Sequence, residues 1–594
     1  MDSLSQINFH ERGLPVKKHA FFALLLLTLV LLFNISSTFA ADLTPSRGSN
    51  SAYTLTEVSS AGADTISYRY FDSTNNTYVT KYYKVALNGS SFGDSLTWSE
   101  DSTGSTGSVK ITLPNGTEKT YYYTYTTPDG YTESSTRVTS PDSSNVTNVV
   151  FKDIQYNTKS SGGAAIYNTA DNSTLDVVAD FVGNYSAYPS RSGSMYGGAV
   201  YNSGQLNSIS GKFLNNGIST KGDNTPTYGG AIYNKGTITT INADFIGNYS
   251  KDITTGYWPY IYGGAVYNEG TITNLTGKFV GNYGYSTASS SSYSASGGAL
   301  YNTKIIVSLN SDFVGNYTFA THKAYGGAIY NTGTISSLTG DFISNYVSST
   351  STASYGGAIY NTSSNGIGLT NNKFIGNYAI STSGKALGGA IYTTNSLTIS
   401  ADNGTTLFSG NYTQVGSGTK DYNAIYVGSS SYTLTLNATN NGVIQFDDNI
   451  NGVSGYTLKI TGDSTSVVNM YNTISNAKLN VSGVGKIDFA DNVARQYNLA
   501  SMTSDENVKY SIDVDLTNNT SDAFIISGDS TGIITINNLN VIDGTWGDFI
   551  NSDGVIKVIQ ASSDGLQLAI TDELKAELNK YSTTVEKDGK DVVS

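Results

Sequence analysis

The chain has no cysteine in 594 residues, and only 8 prolines, 3 histidines and 3 tryptophans. Without cysteine there is neither a disulfide framework nor a thiolate metal site, so stability rests on the fold alone. Two of the histidines, His10 and His19, lie near the start; only His322 remains further on. That scarcity removes histidine-based zinc sites and the base that a serine nucleophile needs. Charge is sparse at 13% and mostly acidic, with a formal net of −13, which makes nucleic acid an unfavourable partner. Long apolar runs are missing except for Ala20 to Phe33, interrupted only by Thr28. That run follows Lys17 and Lys18 and leads to Thr38-Phe39-Ala40, the pattern of a secretory signal peptide cleaved after Ala40. Residues 1–40 are therefore expected to direct export. No sustained helical period appears between 50 and 570, and only Thr571 to Lys580 looks helical.

What the chain has instead is glycine and tyrosine, 63 and 45 residues, with abundant Ser, Thr and Asn, a composition that points to an all-β chain. A repeat organises it. Gly-Gly-Ala units start at Gly162, Gly197, Gly229, Gly263, Gly297, Gly326, Gly356 and Gly388. Each is answered by a Phe-x-x-Asn, at Phe181, Phe213, Phe245, Phe279, Phe313, Phe342, Phe374 and Phe408. From Gly197 to Phe342 the separation is constant at 16, whereas the stretch back to the next Gly-Gly varies from 13 to 18. One fixed arm and one variable arm describe a stacked solenoid that carries its insertions on one side.

Residues 229–249 contain three short β-like runs, separated by Asn-Lys-Gly and a Thr-Thr bend, which is one coil of a parallel β-helix. Ile241, Ala243 and Phe245 alternate with Asn242 and Asp244, so period-2 patterning turns the Phe inward beside a small residue. The Asn of each motif is expected at a turn, in a left-handed conformation, with its amide bonded to the next coil. Asn184, Asn216, Asn248, Asn282, Asn316, Asn345, Asn377 and Asn411 would then form a ladder. Tyr201, Tyr233, Tyr267, Tyr301, Tyr330, Tyr360, Tyr392 and Tyr426 recur as regularly. They fit two placements, an outward stripe able to bind or an interior stack.

The residue before each Phe reads Asp180, Lys212, Asp244, Lys278, Asp312, Asp341 and Lys373, an outward row of mostly alternating sign that would penalise a slipped coil. Asp312 beside Asp341 breaks the alternation and is the one step where carboxylates could gather for catalysis. Gly93-Asp94-Ser95-Leu96 spells a lipase and esterase signature, but the Asp-x-x-His partner fails because Phe319 stands where the Asp should precede His322. Calcium-binding nonapeptides fail too, since Ala follows the glycines. No cofactor, metal or catalytic residue is expected.

The Gly-Gly-Ala-(Ile/Leu/Val) and Phe-x-x-Asn pair resembles the repeats of the chlamydial polymorphic membrane proteins, and more broadly the passenger domains of type V autotransporters. The likeness covers about 162–411 and implies a right-handed parallel β-helix displayed at a bacterial cell surface or outer membrane and used for adhesion. The expected divisions are a signal peptide at 1–40, a β-rich capping segment at 41–148 and regular repeats at 149–427. A less regular helix follows at 428–570, then a charged linker or the start of a further downstream region at 571–594. Such passengers precede an outer-membrane barrel; no barrel strands occur here, and membrane attachment would come only through one. The chain therefore reads as a non-catalytic adhesin or structural surface protein, with a host-cell, matrix or neighbouring-cell ligand. Tyr257, Trp258 and Tyr260 in the insertion 251–261 are its candidate contact residues. A carbohydrate-active enzyme on the same scaffold, a lyase or glycosidase, is the alternative.

Overall fold

The computed structural model describes residues 43–578 except 63, 73–76, 115, 158–161, 189–192, 221–224, 253–259, 289–293, 365, 547–548, 550–555 and 564, and also 586–588 and 591–593. The signal segment 1–40 and the residues Tyr257 and Trp258 lie outside the described residues.

The architecture is an all-β solenoid of stacked parallel coils. In the unit chosen above, one coil runs through Ile232–Asn234, Thr237–Ile246, Tyr249–Asp252 and Ile261–Tyr262 before Val266–Asn268 opens the next. Two expectations change. The Thr-Thr bend does not break the second strand; Thr239 and Thr240 both stay out of the core, which turns a corner inside one continuous strand. The variable arm is also not a bare loop, because it carries a strand on its way out and another on its way back. Corresponding strands stack in parallel, giving a 10-stranded sheet from the Ile-Tyr-Asn strands and 9- and 7-stranded sheets from the two strands of the variable arm. The last two face each other across a small apolar cluster that includes Ile261, Ala324, Val347 and Ala379.

The fixed arm is fixed for steric reasons. The first glycine of each pair is left-handed, as at Gly229 with φ +71, where an added Cβ would fall 2.0 Å from the Ile232 carbonyl oxygen. The second has no room for a side chain: a Cβ on Gly230 would sit 2.0 Å from the Gly264 oxygen of the next coil. The turn after each Phe differs from expectation. The left-handed residue precedes the Asn and is Gly183, Asn215, Gly247, Gly281, Gly315, Ser344, Gly376 or Gly410. The ladder Asn is itself buried inside the coil.

Inside, Phe151 to Phe446 form one column with successive ring centroids 4.3–5.4 Å apart. Each such pair adds about 0.5–1.5 kcal/mol beyond its area burial. Beside it Asn216 Nδ2 donates to the Phe181 carbonyl at 2.8 Å and to Asn248 Oδ1 at 3.0 Å, and Asn216 N donates to the same Oδ1. The arrangement repeats to Asn411, whose Nδ2 donates to Asp448 Oδ2 at 2.8 Å. A second amide ladder, not anticipated, runs through Asn168, Asn202, Asn234, Asn268, Asn302, Asn331 and Asn361 and ends on Thr393.

Most of the N-terminal segment does not cap an end; only Thr132–Ser134, paired in parallel with Thr147–Lys152, extends the solenoid beyond its first coil. Its two antiparallel sheets, built from Tyr53–Val58, Thr65–Asp72 and Thr77–Leu87, and from Leu96–Ser99, Gly107–Thr112 and Glu118–Tyr125, lie along the flank of the solenoid. The cause is an apolar residue beside each Phe, which period 2 turns outward: Val182, Leu214, Ile246, Val280, Val314, Ile343 and Ile375 follow their Phe, and Leu407 precedes Phe408. That stripe would be exposed without a cover. Contacts span its length, from Tyr125 Oη on Asp180 to Tyr78 Oη on Asp488 and Arg69 on Asp491. At the C-terminal end the helix Asp572–Leu578 buries Leu574 and Leu578 against the solenoid core, so this part of the expected linker belongs to the fold.

Candidate functional site

The repeated Tyr points outward. In Val200–Asn202 and its equivalents the flanking aliphatic and Asn residues are buried while the Tyr is mostly partly exposed, although Tyr233 and Tyr267 are only 3% and 8% exposed. Rings Tyr167 to Tyr426 stack along the solenoid at 4.5–5.7 Å. A second outward row, Tyr196, Tyr228, Tyr262, Tyr325 and Tyr355, rises from the returning strand of the variable arm. The rows meet edge to face: Tyr228 is 4.9 Å from Tyr267 at 74°, and Tyr262 is 4.9 Å from Tyr301 at 69°. Of the sequence-based contact residues only Tyr260 can be placed; it stacks on Tyr262 at 5.7 Å and so extends the second row. The second row was missed because it precedes Gly-Gly only intermittently, with Ser296 and Leu387 at two of its positions.

Desolvation holds the phenols protonated. Burial, followed by neighbouring tyrosines, raises Tyr228 and Tyr392 to about 12. Tyr233 Oη donates to Glu269 Oε2 at 2.5 Å, and burial is again the largest cause of its upward shift. The surface is therefore a neutral aromatic sheet edged with hydroxyl donors.

The charged row before each Phe is not an exposed register ladder. Asp180, Asp312 and Asp341 are buried, and each carboxylate accepts the backbone N–H one coil on. Asp180 Oδ1 takes Lys212 N at 2.8 Å, Asp312 Oδ1 takes Asp341 N at 3.1 Å and Asp341 Oδ1 takes Lys373 N at 2.8 Å. The Asp312 and Asp341 pair lies under the N-terminal segment. Ala52 N donates to Asp312 at 2.8 Å, while Tyr53 Oη and Ser46 Oγ donate to Asp341 at 2.8 and 2.7 Å. Burial, then the Asp341 charge, raises Asp312 well above the usual carboxylate range. These carboxylates are saturated by protein donors and closed to a polysaccharide chain.

His322 Nδ1 lies 2.8 Å from Ser351 Oγ. No group of three or more potential metal ligands occurs among the described residues, and none of their helices is long and apolar enough to cross a membrane. No protein-family model and no curated protein sequence matches this chain.

Proposed function

We propose that this chain is an exported, non-catalytic β-solenoid that acts as an adhesive or structural surface protein, with its double tyrosine face as the contact surface. The observation that carries the reading is the tyrosine face itself. Nothing in coil stacking requires two outward aromatic rows in edge-to-face register, since the Phe column and two amide ladders already occupy the interior. Tyr contributes large, rigid, amphipathic contact area with little loss of side-chain entropy, and neutral phenols avoid the desolvation cost of charges. The signal-like segment Lys17 to Ala40 supports export. Against the enzyme alternative stands the cover over Asp312 and Asp341.

The test compares the natural chain with a Tyr228→Ser, Tyr262→Ser, Tyr325→Ser variant in binding to intact host cells, extracellular matrix and cells bearing the same protein. Loss of at least tenfold in binding with an unchanged far-ultraviolet spectrum supports the reading. Full retention of binding overturns the assignment to this face. Shortening of acidic or neutral polysaccharides by the pure protein would overturn the non-catalytic part.

A further inference from the structure

Along the flank, the N-terminal segment seals the charged row at Asp180 through Tyr125 and at Asp312 and Asp341 through Ser46, Ala52 and Tyr53. Between those contacts it leaves a polar recess of about 260 Å³ over Lys212, Asp244 and Lys278, roofed by Arg47 and Asn50. Gly211 and Gly277 form part of the floor. Neither can carry a side chain: at Gly211, φ +133, a Cβ would fall 2.0 Å from the Ala179 oxygen, and at Gly277 1.8 Å from the Ala243 oxygen. The bare floor follows from coil stacking, and the missing cover keeps it open.

The charge here inverts that of the whole chain. Three cationic side chains, Arg47, Lys212 and Lys278, line the recess beside Asp244; with Arg47 paired to Asp312 and Lys278 to Asp244, Lys212 is the surplus positive charge in a molecule of net −13. Lys278 is engaged, donating to the Ser91 carbonyl at 2.8 Å and lying 3.5 Å from Asp244 Oδ1. Arg47 is engaged too: its Nε lies buried 3.9 Å from Asp312 Oδ2, and its Nη1 donates to the Asn310 carbonyl and side-chain oxygens. Lys212 has no ion-pair partner among the described residues, its backbone N–H alone being bonded to Asp180. A concave site with surplus positive charge concentrates small anions, and charge-assisted hydrogen bonds hold them.

We infer that this recess binds one carboxylate-bearing sugar unit, its acid group on Lys212 and its hydroxyls on Asn50, Asn242 and Asp244. The amides and the carboxylate supply the mixed donors and acceptors that hydroxyls need, which a site for a bare inorganic anion would not carry. The volume admits a single ring. The site lies on the Phe face and is separate from the tyrosine rows, so either assignment can fail without the other.

The experiment is calorimetric titration of the full chain with glucuronate, glucose and sulfate, repeated on Lys212→Gln and Asn50→Asp. Both positions are solvent-accessible and outside the core, so the variants fold. Saturable one-to-one binding of glucuronate is expected, with glucose and sulfate at least tenfold weaker. Lys212→Gln is expected to weaken glucuronate by roughly tenfold and Asn50→Asp to abolish its binding, because a second carboxylate beside Asp244 cancels the positive charge that holds the anion. Absence of glucuronate binding, equal binding of glucose or sulfate, or indifference to both substitutions overturns the inference.

Discussion

At the scale of single residues, each ladder asparagine ties its coil to both neighbours. Asn248 accepts Asn216 N and Nδ2, and its own Nδ2 donates to the Phe213 carbonyl. Asn248→Ala strands these buried partners at about 1–3 kcal/mol each, so a total loss above about 3 kcal/mol is expected in urea unfolding, against less than about 1.5 kcal/mol for a volume-conserving Ile241→Leu. Titration gives a second residue-level prediction. Burial, opposed by hydrogen bonds from Asn411, pushes Asp448 up to about 7, and burial likewise pushes Asp522 to about 8. An unfolded Asp titrates near about 3.9, so the folded chain binds these protons more tightly. Their stabilisation is complete below that value and is lost as pH rises through 7 to 8. The urea midpoint should fall from pH 5 to pH 8, and Asp448→Asn should flatten that fall. Inward Phe245, Ile241 and Ala243 were legible from alternation alone. The left-handed position was not, because Gly-Asn in Gly247-Asn248 offers two residues that both tolerate it and only coil geometry selects the first.

At the scale of elements, the fixed arm and the stacking of like strands were readable from spacing, whereas the placement of 43–127 was not. The signal was present: an aliphatic residue follows every motif Phe but Phe408 at an outward position, which a free flank would not tolerate. Its meaning appears only once the N-terminal sheets are seen lying on it. Those sheets hold through specific contacts as well as apolar burial. Tyr53→Phe removes the bond to buried Asp341 and, by leaving a carboxylate lone pair unmet, should cost about 1–3 kcal/mol. Removing 43–127 altogether should expose the Val182 to Leu407 stripe, read as increased binding of a hydrophobic dye and self-association, while the parallel coils persist in the far-ultraviolet spectrum. Loss of all β signal instead would mean that the coils need the flank cover to form. The second amide ladder escaped notice because Tyr-Asn before Lys-Gly or Ser-Gly reads as a turn entry; its inward burial depends on the corner that follows.

At the scale of the whole molecule, each coil bonds mainly to its two neighbours, so stability is close to a sum over adjacent coils and opening starts where a neighbour is missing. Amide exchange should be slowest in the central coils from Thr237 to Phe342, inside both ladders and under the N-terminal sheets. It should be faster beyond Asn449–Gly452, where the tyrosine-bearing sheet ends. Uniform exchange across the chain would contradict nearest-neighbour stability. The tyrosine columns have a further, optical consequence. Rings held 4.5–5.7 Å apart over nine successive coils cannot absorb independently. Their transitions couple, so excitation deposited on one phenol is shared along the row, and the aromatic circular dichroism records how many consecutive coils remain in register.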